Sequence, residues 1–297
     1  MDIFAIVNPL SGVGADPSAA AARVVFLTDR LSRSGVSSVV RVTERRGHAT
    51  ELAASAIAGG ARTVLAWGGD GTINEIATVV AGSNAALAII PAGSGNGFAN
   101  ELGVPADPAA AIEIAVRGRD RVIDAGELNG RLFFNIAGIG VDAVIAEQFN
   151  SLPLGRRGLG PYVRIGILEA FRYRAATYRV TLDGDLVECC ALVVAFANGR
   201  EYGNRIRLAP QARLDDGKLE ALVVEDRPAV SRLWAARHLA LGTAHKAGRM
   251  VIRSVTAARV ETNGEILYHL DGEIGRAQSA VDVRIRPGVL RVKVRSA

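Results

Sequence analysis

The sequence predicts an α/β domain followed by a second, mainly β domain, and three observations carry this prediction. Short runs that are apolar throughout alternate with longer helical patterns over roughly the first 120 residues. Every glycine cluster in this part of the chain follows a predicted strand. From about Val122 the pattern changes to strand-like segments separated by turn signals. Strands that are apolar on both faces are typical of a parallel sheet covered by helices, so the first domain is predicted to be doubly wound.

Strands and helices alternate in the predicted first domain. Its strands are residues 4–7, 38–42, 63–67 and 87–90, and its helices are residues 18–32, 48–58, 72–81 and 107–116. Ligands of such sheets bind beyond the carboxyl ends of the strands. We therefore expect the functional residues of this domain in the loops that follow its strands.

The second domain is predicted to be a mainly antiparallel β-sandwich. Its strand segments are residues 131–137, 177–182, 187–197, 218–224, 249–261, 281–285 and 290–294, and its helical segments are residues 161–174 and 228–241. The predicted domains are residues 1–121 and 122–286. Residues 287–297 form a C-terminal segment that can return to the first domain.

Composition narrows the class of protein. The chain has 297 residues, of which 49% are hydrophobic and 22% are charged, as in an ordinary globular protein. The net charge of +5 favours anionic partners such as nucleotides, nucleic acid or an acidic membrane surface. The only lysines are Lys218, Lys246 and Lys293, which excludes a P-loop in the first domain. Cys189 and Cys190 are adjacent in a strand and suit a reducing cytoplasm better than a disulfide or metal site.

Three glycine-rich loops of the first domain have the composition of phosphate-binding loops. They are residues 8–12, 68–72 and 91–97. Glycine lets backbone N–H groups approach phosphate oxygens, and a helix that begins just afterwards adds partial positive charge. Ser11, Thr72 and Ser94 can donate further hydrogen bonds. Asp70 would repel phosphate unless a divalent cation lay between them, so it implies Mg²⁺. It can also be a helix-capping aspartate, and both interpretations can hold at once.

Five segments of the chain also occur in a characteristic order. They are Asn8 to Gly12, Gly68 to Glu75, Pro91 to Ala99, Ala209 to Leu219 and Asp271 to Glu273. In order and spacing they resemble the diacylglycerol kinase catalytic-domain family of lipid kinases, which includes sphingosine and ceramide kinases. The resemblance implies an NAD kinase/diacylglycerol kinase-like α/β domain, a C-terminal β-sandwich and an active site in the cleft between them. An NAD kinase-like enzyme remains an alternative, because the double-glycine aspartate motif occurs there too.

The resemblance implies a role for each matching residue. ATP, the phosphoryl donor, would be contacted by Asn8, Pro9, Leu10, Ser11, Gly12, Thr43, Gly68, Gly69, Asp70, Gly71, Thr72, Ile73, Asn74 and Ser94. Mg²⁺ would be held by the Asp216 side chain and by the backbone carbonyls of Arg213 and Lys218. Glu273 would be the general base that accepts the proton of a lipid hydroxyl, and Asp70 would be the second catalytic residue.

Two departures from the family pattern leave the acceptor open. Diacylglycerol-specific bacterial members usually carry a lysine where this chain has Val13 and an aspartate where it has Gly97. The segment Pro91 to Asn96 is closer to sphingosine and ceramide kinases, so diacylglycerol, a sphingoid base and ceramide are all acceptors to test. A catalytically inactive nucleotide- or lipid-binding regulator is the alternative from another class, and the presence of Asp70, Asp216 and Glu273 together argues against it.

The predicted helical segment at residues 161–174 bears on localisation. Residues 162–174 combine apolar, aromatic and arginine residues, and Arg156 and Arg157 precede them. Such a helix can rest on an anionic membrane, or it can pack on the sheet with its arginines in solvent. The packed arrangement is the commoner one, so we expect a cytoplasmic protein, and peripheral contact at the inner membrane face is the alternative. Nucleic acid is not an expected partner, the four histidines are expected to be structural, and monomer and homodimer remain alternatives.

Overall fold

The computed structural model of the chain describes residues 1–12, 17–93, 95–153, 159–203, 206–226, 228, 232 and 250–296. The chain divides into two compact units. Unit 1 comprises Met1–Ile123 and Gly288–Ala297, and unit 2 comprises Asp124–Pro287.

The described residues form the following strands and helices. The strands are β1 (Ile3–Val7), β2 (Ser38–Val42), β3 (Thr63–Gly68), β4 (Ala86–Pro91), β5 (Arg119–Leu128), β6 (Arg131–Phe133), β7 (Ile136–Gly140), β8 (Ala176–Leu182), β9 (Asp185–Ala197), β10 (Glu201–Gly203), β11 (Ile206–Arg207), β12 (Leu219–Glu225), β13 (Met250–Val255), β14 (Ala257–Glu261), β15 (Ile266–Leu270), β16 (Glu273–Ala277) and β17 (Ala280–Val294). The helices are α1 (Pro17–Arg33), α2 (His48–Ala58), α3 (Asp70–Val80), α4 (Gly97–Glu101), α5 (Pro108–Arg117), α6 (Val141–Asn150) and α7 (Leu159–Arg172).

Unit 1 is built on a parallel sheet. Its strand order is β17-β4-β3-β1-β2, and each neighbouring pair in this order is parallel. Every residue of β1, β3 and β4 is buried, as expected for strands covered on both faces. Helices α1 and α5 contact each other, and so do α2 and α3. The predicted doubly wound α/β fold of this part of the chain is confirmed.

Unit 2 is built from antiparallel strands. The long strand β9 pairs with β8 through its first half and with β7 and β12 through its second half. Strand β15 joins the hairpin strand β16 to β7, and β14 lies between β8 and β17. The core contains fully buried Phe133, Phe196 and Val260. Helices α6 and α7 contact each other, and α6 also packs on β7 and β15.

Several predicted boundaries in the second domain are wrong. The segment predicted as one strand over 249–261 is two strands, because the Asp183 carboxylate accepts the backbone N–H groups of Thr256 and Ala257 and interrupts the ladder. Residues 131–137 are likewise two strands, β6 and the start of β7. The segments 281–285 and 290–294 are one strand, β17, which continues through Gly288 at a φ of 61°. The predicted helix 228–241 lies, except for residues 228 and 232, outside the described residues.

Helix α7 confirms the predicted helix at residues 161–174 within two residues at each end. Of the helices within the described ranges, none has the combination of length and continuous apolar character that crossing a membrane requires.

Candidate functional site

The loops that follow β1 and β3 are joined by side-chain hydrogen bonds. Asn8 Nδ2 donates to Thr72 Oγ1 at 2.7 Å, and Ser11 Oγ accepts the backbone N–H of Gly69 at 3.2 Å. The Asn8 side chain also accepts the N–H of Leu10 at 2.9 Å, which turns the first loop back on itself. Two of the three predicted phosphate loops therefore form one hydrogen-bonded surface.

The loops that follow β3 and β4 meet backbone to backbone. A Cβ atom on Gly93 would lie 2.9 Å from Gly69 Cα, and one on Gly69 would lie 3.3 Å from Gly93 Cα. The Asn96 side chain fixes the second of these loops, because it accepts the N–H of Gly93 at 2.7 Å and donates to its carbonyl at 2.8 Å. The third predicted loop thus packs on the second without intervening side chains. Ser94 lies outside the described residues.

Asp70 is the first residue of α3 and is half-buried. A Cβ atom on Gly95 would lie 3.2 Å from Asp70 Oδ2, so the carboxylate faces the loop that joins β4 to α4. The positive end of the helix dipole favours a negative charge in the first turn. The residue that precedes the helix is Gly69, so Asp70 is not the capping residue that the alternative interpretation required.

The other predicted contacts of unit 1 lie on or beside these loops. Thr43 is buried, and its N–H donates to the carbonyl of Val7 at 2.9 Å, which places it beside the end of β1. The Ile73 side chain is 1% exposed, and its N–H donates to the carbonyl of Gly69 at 3.0 Å, so Ile73 supports the loop from the core side. The remaining residues of the predicted set on these loops or in α3 are Pro9, Leu10, Gly12, Gly68, Gly71 and Asn74.

The predicted metal loop of unit 2 is held by Asp124, which is 4% exposed. Asp124 Oδ2 accepts the N–H of Gly217 at 2.7 Å, and the Asp124 N–H donates to the carbonyl of Leu214 at 2.7 Å. Gly217 has a φ of 71°, a conformation that glycine adopts readily. The turn between Leu214 and Gly217 is therefore fixed at both ends by one buried aspartate.

The three predicted metal ligands lie on this turn. Asp216 is exposed, and its carboxylate accepts the N–H of Lys218 at 3.1 Å. Arg213 is also exposed. In the described part of the chain, no group of three or more His, Cys, Asp or Glu side chains is placed to hold a metal ion. An ion at this turn would need the backbone carbonyls that the predicted ligand set includes.

Glu273 begins β16 directly after a two-residue turn. Asp271 and Gly272 have φ values of 50° and 92°, the positive angles of a type I′ hairpin. The Asp271 carboxylate accepts the backbone N–H groups of residues 134, 135 and 136 at 2.7, 2.9 and 2.8 Å. The turn is therefore anchored to the segment between β6 and β7, and it presents a partly exposed Glu273 at its end.

A buried His–Asp pair lies behind the same turn. His269 is 1% exposed, and its Nε2 lies 2.8 Å from Asp142 Oδ2. The N–H of Gly272 donates to His269 Nδ1 at 3.3 Å. Because Nδ1 accepts this hydrogen bond, Nε2 carries the proton and donates it to Asp142. A Cβ atom on Gly138 would lie 2.5 Å from His269 Nε2, so this position leaves no room for a side chain.

Asn198 connects the two segments of unit 2 that carry predicted site residues. It has no exposed surface, and its Nδ2 donates to the carbonyls of Asp124 at 3.0 Å and Phe134 at 2.9 Å. Asp124 holds the predicted metal loop, whereas the N–H of Phe134 is held by Asp271. The metal loop and the turn before Glu273 therefore belong to one buried hydrogen-bond network.

Sequence reasoning missed Asp142 and Asn198 of this supporting network, and it expected His269 to be structural without identifying its partner. Asp142 lies on α6, which was not predicted, and Asn198 and His269 lie in or beside strands whose patterns are otherwise apolar. The available signal was the placement of polar residues within apolar segments, because buried polar groups in proteins are nearly always hydrogen-bonded. That signal marks such residues as partnered without identifying the partners.

Two family models match the chain. The model described as "Diacylglycerol kinase catalytic domain" matches residues 2–128, and the model described as "YegS C-terminal NAD kinase beta sandwich-like domain" matches residues 135–294. The protein named "Diacylglycerol kinase" of Mycobacterium tuberculosis is 31% identical over 306 residues, which cover 96% of this chain and 95% of the relative. A Pseudomonas aeruginosa protein named "Probable lipid kinase YegS-like" is 32% identical over 262 residues, which cover 87% of this chain and 85% of the relative.

Solved structures agree with the fold. A crystal structure of a diacylglycerol kinase from Bacillus anthracis has a TM-score of 0.74 at 21% identity and covers 99% of this chain and 96% of its own. The structure of an NAD kinase from Archaeoglobus fulgidus in complex with ATP has a TM-score of 0.55 at 13% identity, and the match covers 98% of this chain and 93% of the NAD kinase chain. These structures support the fold, an N-terminal α/β domain and a C-terminal β-sandwich domain. The matching models and the relatives above 30% identity place the chain: it belongs to the diacylglycerol kinase catalytic-domain family and is a lipid kinase.

Proposed function

We propose that the chain is an ATP- and Mg²⁺-dependent kinase that transfers the γ-phosphoryl group of ATP to a hydroxyl group of a lipid. The observation that carries this proposal is the joined surface of three loops in unit 1. Gly69 and Gly93 bring two of these loops into backbone contact, and Ser11 and Thr72 are part of the same surface. The first turn of a helix supplies backbone N–H groups that suit phosphate oxygens, and α3 begins on this surface.

The residues of the chain fit both implied ligands. In unit 1 the glycines let the loops after β3 and β4 pack backbone to backbone beside the start of α3, whose N-terminal end suits an anionic phosphate chain. In unit 2 the Asp216 carboxylate and the carbonyls of Arg213 and Lys218 are hard oxygen donors on one turn, which suits Mg²⁺. The ion, when bound, neutralises charge that develops on the phosphates.

Glu273 is the proposed general base. A lipid hydroxyl is a weak nucleophile, and a carboxylate that accepts its proton promotes attack on the phosphorus. The partly exposed Glu273 follows a turn that Asp271 and Gly272 hold by hydrogen bonds, so its position is defined. Asp70 is the proposed second catalytic residue, and its carboxylate lies among the loops of unit 1 that are proposed to bind ATP.

The acceptor is tested by mass spectrometry of the products formed from ATP and a mixture of diacylglycerols, sphingoid bases and ceramides, with NAD in a parallel reaction. Formation of one class of lipid monophosphate is the expected result, and it identifies the acceptor. Phosphorylation of NAD alone would support the NAD kinase-like alternative. ATP binding without any phosphorylated product would support the inactive regulator.

Gly93→Ala is expected to raise the KM for ATP about tenfold, because the new methyl group separates two loops whose amides would bind phosphate. The added Cβ atom would lie 2.9 Å from Gly69 Cα and 2.9 Å from Asn96 Oδ1. Gly264→Ala is the matched control, since a Cβ atom there meets nothing within 4 Å. Steady-state kinetics at saturating lipid measures the effect. Equal KM values for the two variants would contradict a donor site on these loops.

Helix α7 is the proposed contact with an anionic membrane. Val163, Ile167 and Phe171 are spaced four residues apart and are 48%, 46% and 56% exposed, so they form an apolar stripe along the helix. Arg164 and Arg172 are exposed beside this stripe. Apolar side chains flanked by arginines suit a helix that lies in the interface of an anionic bilayer. The predicted contributors Arg156 and Arg157 lie outside the described residues.

The double substitution Ile167→Ser and Phe171→Ser is expected to weaken binding to phosphatidylglycerol vesicles at least about tenfold, because two apolar side chains no longer enter the bilayer. Leu186→Ser is the control, since Leu186 is 53% exposed on β9 of the same unit. Vesicle co-sedimentation measures binding, with phosphatidylcholine vesicles as the neutral comparison. Unchanged sedimentation of the double variant would rule out α7 as the membrane contact.

A further inference from the structure

Arg23 of α1 reaches the loop that follows β1. Its guanidinium donates to the carbonyl of Asn8 at 3.4 Å. A Cβ atom on Gly12 would lie 3.0 Å from Arg23 Nη2, so the guanidinium lies directly against that glycine. This arginine therefore contacts both ends of the first proposed phosphate loop.

Aromatic side chains hold Arg23 in this place. The guanidinium carbon lies 5.9 Å from the centre of the Trp67 ring, within the range of a cation–π contact. Phe26, one turn further along α1, packs edge-on against the same ring at 6.4 Å. Trp67 itself is 5% exposed and accepts the N–H of Asn8 through its carbonyl at 2.9 Å. The guanidinium thus rests on a rigid surface that also positions the loop.

The charge of Arg23 is not balanced by these contacts. An aromatic face and a carbonyl oxygen carry no full negative charge, and within the described ranges no carboxylate forms an ion pair with Arg23. The side chain is half-buried, where an unbalanced charge is costlier than in open water. A guanidinium also has five N–H donors in a planar fork, and among the residues that the structure describes only the Asn8 carbonyl accepts one of them.

We propose that Arg23 binds the phosphate oxygens of the nucleotide donor. The inference rests on the proposed ATP dependence. It assigns to Arg23 the positive charge that would face the ATP phosphates, because residues 1–217 contain no lysine. A guanidinium pairs with phosphate through two parallel N–H···O hydrogen bonds, which a single ammonium group does not provide. Arg23 is a binding residue in this assignment and takes no part in proton transfer.

Calorimetric binding of ATP, ADP and adenosine to Arg23→Gln tests the assignment. We expect the affinity for ATP and ADP to fall about ten- to hundredfold and the affinity for adenosine to stay unchanged, because only the phosphates lose a charged partner. Arg23→Lys keeps the charge and part of the stem, so it should recover part of the lost affinity. Arg30→Gln is the control, since Arg30 lies on the same helix over the Phe26 ring at 5.4 Å and away from the loop.

Two results would overturn the assignment. One is wild-type affinity of Arg23→Gln for ATP. The other is an equal loss of affinity for adenosine, which would indicate that Arg23 only supports Trp67 and the loop. Absence of ATP binding and of phosphoryl transfer in the wild-type protein is a separate outcome, and it would contradict the proposed ATP dependence itself.

Discussion

Glu273→Gln is expected to lower kcat about 10²- to 10⁴-fold, the range that removal of a general base produces. The amide has nearly the same size as the carboxylate but cannot accept the proton of the lipid hydroxyl. The turn before Glu273 is fixed by hydrogen bonds of Asp271 and Gly272 that do not involve the Glu273 carboxylate, so the variant should fold. Phosphate transfer to the identified lipid at saturating ATP measures the loss.

Glu265→Gln is the matched control for this substitution. Glu265 directly precedes β15 of the same hairpin and forms an exposed ion pair with Arg276 at 2.5 Å, so its loss should leave kcat nearly unchanged. The KM for ATP should also stay near the wild-type value in Glu273→Gln, because the residue is assigned to the acceptor hydroxyl. Full activity of Glu273→Gln would remove Glu273 from the mechanism, whereas the donor site on unit 1 would remain to be tested separately.

His269→Ala is expected to lower the free energy of unfolding by about 2–4 kcal/mol, the cost of removing the imidazole that partners both the buried Asp142 carboxylate and the Gly272 N–H. Asp142 would lose the Nε2–H donor at 2.8 Å, and the Gly272 N–H would lose its acceptor. Both members of the pair are buried, so water replaces these hydrogen bonds poorly. Because Gly272 immediately precedes Glu273, kcat should fall as well.

Urea unfolding followed by circular dichroism measures this cost. His48→Ala is the control: the imidazole of His48 also accepts a backbone N–H, that of Glu44 at 3.1 Å, but its site is more exposed, so less than about 1 kcal/mol is expected. Asp142→Asn keeps an oxygen that can accept the Nε2–H and should cost less than His269→Ala. Equal stability of His269→Ala and His48→Ala would contradict a structural role for the buried pair.

Unit 1 is the part of the fold that sequence reasoning predicts best, because its strands are buried on both faces. The run 63–67 is apolar enough to mark β3 by itself, and the glycines after it mark the end of the strand. Helix α3 nevertheless begins at Asp70, two residues before the predicted start. Glycines and an aspartate rarely indicate a helix interior, although an aspartate is favourable in the first turn, at the positive end of the helix dipole.

Unit 2 is harder to predict because its strands depend on partners far away in sequence. Thr256 has the composition of a strand interior, and only the Asp183 carboxylate, 73 residues away, ends the ladder there. Helix α6 does have local signals, since Gly140 at a φ of 94° precedes it and Asp142 lies in its first turn, but they follow a buried strand directly. Only the interruption at Thr256 has no local pattern that could reveal it.

The candidate site shows the same division. Motifs and the family resemblance identified the residues of the predicted phosphate loops, the predicted metal loop and Glu273. The roles of these residues stay predictions. The residues that hold them in place could not be identified in this way. Asn198 donates to two carbonyls that are 74 and 64 positions away in sequence, and His269 contacts Asp142, which is 127 positions away. Such contacts exist only once the chain has folded.

Transfer of the terminal phosphoryl group is tested most directly with ATP that carries heavy oxygen in its γ-phosphoryl group. Purified protein, Mg²⁺ and the identified lipid should yield a lipid monophosphate that carries the heavy label, and Glu273→Gln should yield little of it. Release of the label only as inorganic phosphate, with every lipid of the panel unmodified, would contradict transfer to a lipid hydroxyl.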